Sequence, residues 1–348
     1  MLHSRYLRLI ATAVLAAPLS LGRAGGAPAA PAAQGAAFRS AAPPTTGELD
    51  ATGLRRLTAA RWRSYRRKAA GPTIRVSPAY ADPTAIAQRW SSFFESLVHG
   101  SELSLLNAYI APLDEVRALC GGLDVLGCYA DDRLVVPDQG ADGIDATSIA
   151  THEYGHHVAF NRVDPPWIAL DEGTKRWATS ARVCIRTAAG TAYPGAEDAN
   201  YPLNPGEAFA ESYRVLNETA AGLPPTWPIV DPSFQPDATA LAAVRADVVD
   251  PWTAPTLSAK SAQFSGKART WTTQVTTPLD GKLHLQIQPG SADVALLSAD
   301  GRTVVARGTW TRSGAKALDY VVCGQRTFLL RVRRDTPNRR FALSLSIP

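Results

Sequence analysis

Near residue 256 the apolar residues change from a helical spacing to strict alternation, and that change restricts the folds open to this chain. Beyond it stand seven alternating runs, "WTTQVTT" (271–277), "KLHLQIQ" (282–288), "DVALLS" (293–298), "TVVARGTW" (303–310), "DYVVCG" (319–324), "TFLLRVR" (327–333) and "FALSLSI" (341–347). Alternation at period two puts one face of each run in a core and the other in water. Turn signals such as Asp300-Gly301 separate the runs. About ninety residues patterned this way read as a small all-β sandwich, residues 256–348. Before the change, helical spacing dominates 144–220, with fewer strands. The expected class is α+β: a mixed domain at 71–252 with a prominent helix and a small sheet, then the sandwich.

Inside 71–252 the elements can be placed. "PTIRVSP" (72–78) alternates like a short strand. In 82–98 Ile86, Trp90, Phe93, Phe94 and Leu97 recur at helical spacing, behind Asp82 as N-cap and Pro83 at the first helical position. "LSLLNAYIA" (103–111) and "RLVVP" (133–137) read as strands, "LDEGTKRWATSARV" as a helix, and 237–249 as a last helix. Residues 48–68 read as a basic helix, carrying seven Arg and Lys without an acid between 54 and 68. In a chain of net charge +5 such a run is a solvated face, and no nucleic-acid partner is expected.

The first 29 residues read as a secretion signal: Arg5 and Arg8, the apolar run 9–21, then an Ala-x-Ala site at Ala27–Ala29. That run is too short to span a bilayer, and no membrane span is expected elsewhere. Residues 30–70 hold an Ala/Pro-rich linker and the basic segment, a candidate pro-region. Four cysteines fit an oxidising compartment. Cys120 and Cys128 flank a short Gly-rich loop suited to a local disulfide, and Cys184 with Cys323 would bridge the two domains; sequence alone leaves three pairings open.

"SIATHEYGHHVAF" (148–160) carries the chemistry. His152-Glu153-Tyr154-Gly155-His156 fits H-E-x-x-H, which on a helix presents two imidazoles to one ion. The helix can start at Asp145 or Thr147, use Ile149, Tyr154 and Val158 as apolar contacts, and end near Asn161 before Pro165-Pro166. A zinc ion there would act as Lewis acid and lower the pKa of a water towards about 7, with Glu153 as general base. The extension to a third histidine fails, because Ala159 and Arg162 stand where glycine and histidine are needed; Met1 is the only methionine, so no Met-turn exists. Carboxylate candidates for a third ligand lie downstream. Asp171 and Glu172 are one source. "NPGEAFAESYR" (204–214) is the other, a helix capped by Asn204 with Glu207 and Glu211 on one face.

His152-Glu153-x-x-His156 followed by "NPGEAFAESYR" resembles gluzincin metallopeptidases of the anthrax-lethal-factor-like type, over residues 145–216. The resemblance implies a zincin-like catalytic domain with one Zn2+ per chain. It implies Glu207 as third ligand, Glu211 as the carboxylate that orients a histidine, and a tyrosine shortly before Glu207 as oxyanion donor. Tyr201 is the nearest match, with Tyr193 and Tyr213 as rivals. An edge strand beside the site would hold substrate, and 133–137 precedes the helix. His157 should point off the metal face, and His99 reads as a loop or cap residue. The 256–348 module resembles the small sandwiches appended to bacterial secreted peptidases and could contact a cell surface or polymer. Trp271 and Trp310 read as core residues or as a carbohydrate platform. The expectation is a secreted zinc endopeptidase acting on protein or peptide substrates. Rival expectations are a zinc-stabilised binding protein of the cell surface or wall and a zinc amidase on cell-wall peptides.

Overall fold

The computed structural model describes residues 49, 51–59, 61–122, 124–141, 143–224 and 230–348. The expected signal peptide (1–29) and the Ala/Pro-rich linker lie outside the described residues. The first half is built on a five-stranded sheet: β1 (Arg63–Tyr65), β2 (Thr73–Val76), β3 (Asn107–Ala111), β4 (Cys128–Ala130) and β5 (Arg133–Pro137), in the order β1-β2-β3-β5-β4. The three inner strands are parallel, and β1 and β4 pair antiparallel at the two edges. Helices α1 (Ala51–Ala59), α2 (Pro83–Ser96), α3 (Leu113–Cys120) and α4 (Ala146–Phe160) cover both faces. Alternate strand residues serve the two layers. Ile74, Val76, Ala108, Ile110, Leu134 and Val136 pack with α2 and α4, whereas Tyr109, Ala111 and Val135 pack with α1 and α3. Burial on both sides is why "NAYIA" and "RLVVP" read as nearly unbroken apolar runs.

The chain then runs through α5 (Ala169–Glu172), α6 (Lys175–Ser180), α7 (Val183–Ala188), α8 (Pro205–Ala220) and α9 (Ala238–Val249). Two N-caps work as read: the side chains of Asp82 and Asn204 accept from the amides of Ala85 and Gly206, and the structure adds a third, Asp237, which accepts from Ala240 N. Asp145 precedes α4, but its carboxylate makes no cap bond. Trp90, Phe94, Tyr154 and Tyr213 form a chain of ring contacts, with centroids 5.6–5.9 Å apart, that glues α2 to α4 and α4 to α8. Each such pair adds about 0.5–1.5 kcal/mol to its area burial.

Several sequence expectations need correction. The basic helix stops at Ala59, because Trp62 turns back to donate to Leu57 O and packs edge-on against Tyr109, and the chain continues as β1. The first half of "LSLLNAYIA" is a 3-10 turn, Ser101–Leu105. "LDEGTKRWATSARV" breaks at Gly173 (φ +82°), where the Trp177 ring would lie 2.3 Å from a Cβ. The strand 133–137 is β5, internal in the sheet; the edge strand beside α4 is β4.

After residue 255 come β6 (Thr256–Gln263), β7 (Thr270–Thr277), β8 (Gly281–Gln288), β9 (Ala292–Ser298), β10 (Val304–Arg307), β11 (Thr309–Trp310), β12 (Lys316–Val322), β13 (Arg326–Arg334) and β14 (Arg340–Ile347). They form two antiparallel sheets, β10-β9-β13-β7 and β11-β12-β8-β14-β6. Leu283, Leu285, Ile287 and Leu343 of one sheet share a core cluster with Val294, Leu296, Leu330 and Val332 of the other. "TVVARGTW" divides at Gly308, where a Cβ would lie 2.2 Å from Val294 Cγ1, so its halves join different sheets. Trp271 packs edge-on against Phe341, while Trp310 is 62% exposed on the opposite edge. The two tryptophans therefore form no common platform.

Both expected disulfides are present, Cys120–Cys128 and Cys184–Cys323. The second ties α7 to the turn after β12. Beside it, Thr179 Oγ1 accepts from Asp280 N at 2.9 Å, and Asp280 accepts from Gly324 N. Lys175, 1% exposed, donates to Asp164 Oδ1 at 2.6 Å and Pro165 O at 3.0 Å, with its ammonium 4.9 Å from the Trp252 ring centroid. Burial pushes the Asp164 carboxyl up to about 7 against the pull of Lys175, and pushes Glu172 up to about 8. Among the described residues no helix is long and apolar enough to cross a membrane.

Candidate metal centre

The four-residue spacing in α4 brings His152 and His156 onto one face, with their Nε2 atoms 3.2 Å apart. Glu207, in the first turn of α8, closes the triangle: Oε2 lies 3.2 Å from His152 Nε2, and Oε1 lies 3.4 Å from His156 Nε2. Bonds of about 2.0–2.1 Å at tetrahedral angles place ligand atoms about 3.3 Å apart. The observed separations are close to that value, the two to Glu207 being made by different oxygens of one carboxylate, so the donor set suits a metal ion. The group His152, His156 and Glu207 could therefore hold a metal ion, its ligand atoms all lying within 4.8 Å of one another.

Two local features of sequence make the triangle. Gly155 is the first: a Cβ there would lie 2.6 Å from Ala210 Cα, so α4 and α8 cross with backbones nearly touching. The second is the Glu207–Glu211 spacing on either side of Ala210. Across the crossing, His152 uses both ring nitrogens, with Nδ1 2.8 Å from Glu211 Oε1. A carboxylate at Nδ1 favours the tautomer that keeps the proton there and leaves the Nε2 lone pair for a metal.

The electrostatics point the same way. Burial opposes a charge on His152, yet Glu207 and Glu211 override it and hold the imidazole well above its usual value. Burial would raise Glu207, but the two histidines hold it well below the carboxylate range. A field that favours a proton among these groups also favours a divalent cation, and the two compete. Glu153 differs: burial lifts its carboxyl to about 7 despite both neighbouring histidines. It faces the same cavity, which encloses about 880 Å3 and is lined by Leu126, Gly127, Ile144, Tyr201 and Leu223 among others.

Of the three tyrosines weighed, Tyr201 reaches the cluster, its hydroxyl 2.7 Å from Glu207 Oε2. Tyr193 instead donates to Gly190 O, and Tyr213 is buried in the core and donates to Val98 O. His157 points off the metal face but is fully buried, between Tyr129 Oη and Glu102 O. His99 sits half-buried in the loop after α2, with Nδ1 3.1 Å from Gly100 O. Asp171 lines the cavity without joining the triangle, and Glu172 is turned into the core near Asp164. Arg162, at the position where a third histidine would stand, bonds to Glu102 Oε2 at 2.7 Å.

Two contributors escaped the sequence reading. A Cβ at Gly127 would lie 2.9 Å from Glu153 Oε1, so the loop held by Cys120–Cys128 leans directly on the general-base candidate. Arg214, 3% exposed, binds Glu211. Its signal was present in the sequence as an arginine three residues after one glutamate and four before another.

No family model matches the chain, and no curated protein matches it. Among solved structures it is similar to the pre-peptidase C-terminal domain of a collagenase from Bacillus anthracis, with 13% identity and a TM-score of 0.22 over 27% of this chain and 90% of that one.

Proposed function

We propose that this chain is a secreted zinc-dependent endopeptidase, with residues 71–252 as the catalytic domain and 256–348 as an accessory module. The observation that carries the reading is the His152–His156–Glu207 triangle, with edges of 3.2–3.4 Å, beside a buried Glu153 in one cavity. His152, His156 and Glu207 would hold a zinc ion, which when bound would supply Lewis acidity to a peptide carbonyl and acidify a water. Glu153 takes the proton of the attacking water and returns it to the leaving amine, and the burial that lifts its carboxyl favours both transfers near neutral pH. Tyr201 donates to the oxygen that becomes negative as the carbonyl is attacked; its hydroxyl already lies at the rim of the triangle. Glu211 keeps the His152 ring oriented. The metzincin alternative stays excluded by Ala159 and Arg162. The disulfides suit an oxidising compartment.

The test is cleavage of a mixed peptide library by the purified protein, beside Glu153→Gln, with and without a chelator. Cleavage that needs both the metal and Glu153 supports the reading. A folded, zinc-loaded chain that cuts nothing would overturn it in favour of a zinc-stabilised binding protein or an amidase on cell-wall peptides.

A further inference from the structure

Arg214 lies two turns beyond Glu207 on α8, with its guanidinium between two glutamates of its own helix. It binds Glu211, with Nη2 to Oε2 at 2.5 Å and Nε to Oε1 at 3.2 Å, and Glu218, with Nη1 to its carboxylate oxygens at 2.6 and 2.7 Å. Both glutamates also reach across to α4: Glu211 to His152 Nδ1 at 2.8 Å, and Glu218 to Ser148 Oγ at 2.9 Å. Residues 148 and 152 are one turn apart on α4, and 211 and 218 are two turns apart on α8. Two rungs therefore join the helices, and Arg214 fixes the spacing between them.

We propose that Arg214 is a positioning residue for the metal site, acting through Glu211 to hold His152 in the tautomer and orientation that bind the ion. The proposal rests on the zinc reading above. The planar fork of arginine is what the role needs, because Nη2 and Nε must meet the two oxygens of Glu211 in fixed directions. A lysine keeps the charge and loses that fork. A carboxylate behind a metal-binding histidine changes metal affinity by about 10–100-fold when disturbed, and Arg214 acts through that carboxylate, so the low end of this range is the effect expected.

The experiment measures zinc affinity by chelator competition, together with the melting temperature of the zinc-free protein. The proteins are wild type, Arg214→Lys, Glu218→Gln, and the charge-balanced pair Arg214→Gln with Glu218→Gln. The expected result is affinity weakened about tenfold or more in Arg214→Lys and in the pair, but less than about threefold in Glu218→Gln, which leaves the Arg214–Glu211 contact in place. Should Arg214→Lys fail to fold, the charge-balanced pair gives the answer. Equal affinity in all folded variants, or losses that simply follow melting temperature, would overturn the role of Arg214 and leave the zinc reading standing. A folded wild-type chain that binds no zinc would overturn both.

Discussion

Replacing Gly155 by alanine sets two known effects against each other, and the structure says which wins. In an open helix the change would stabilise by about 1 kcal/mol, because glycine loses more backbone entropy on folding. Here the new Cβ would lie 2.6 Å from Ala210 Cα and 3.1 Å from Ala210 Cβ and O. Carbon contacts settle near 3.5–4.0 Å, so α4 and α8 must part by roughly 1 Å. Overpacking of this kind costs about 1–3 kcal/mol, leaving a net loss of up to about 2 kcal/mol. At about 2–4 °C per kcal/mol, the metal-free protein should melt a few degrees lower. Metal affinity should suffer more. The 2.8 Å His152–Glu211 contact and the 3.2 Å His152–Glu207 contact both span this crossing. A shift of about 1 Å takes both beyond hydrogen-bond range, so zinc affinity should fall about tenfold or more. Thermal melts of the chelated protein and a competition titration measure the two quantities. An alanine variant that melts higher, as propensity alone demands, and binds zinc like wild type would refute the close crossing as the origin of the site.

Other outcomes follow from the same geometry. Tyr201→Phe should lower kcat about 10²–10³-fold with little change in KM, as read from steady-state kinetics; a change confined to KM would deny it the oxyanion role. Stability should depend on pH through Asp164 and Glu172, whose carboxyls are raised from 3.8 to about 7 and from 4.5 to about 8. The folded state holds protons that the unfolded chain releases. Stability from these groups is therefore full below about pH 4 and is lost as pH climbs through about 7 and 8. Denaturant midpoints between pH 5 and 9 should fall, and Glu172→Gln should flatten the upper part of that slope. Replacing Cys184 and Cys323 by serine opens a 139-residue separation, and unfolding should become easier by about 2–5 kcal/mol; an unchanged denaturant midpoint would show that the joint is held by noncovalent contacts alone.

Much of this molecule could be read from local pattern. Period-two alternation placed most strands after 256, because a strand with one wet face writes its geometry into its residues. It missed β6, whose small, mostly exposed residues pair only with β14 at a sheet edge. The i, i+4 rule put His152 and His156 on one face, and the capping residues of α2 and α8 were visible as Asp82 and Asn204. These are properties of a few neighbouring residues, so no fold is needed to find them. What the sequence could not decide was everything that depends on two segments meeting. That Glu207 rather than Asp171 or Glu172 comes beside His152 and His156, and that Tyr201 rather than Tyr193 or Tyr213 reaches Glu207, depends on how distant segments pack. The short edge strand β4 went unread in the sequence, since three residues carry too little pattern to show which strand they pair with. Gly155 and Gly127 carry no motif of their own, and Arg214 shows only its spacing from two glutamates. Their importance comes from Ala210, Glu153 and Glu211, contacts that exist only once the chain has packed.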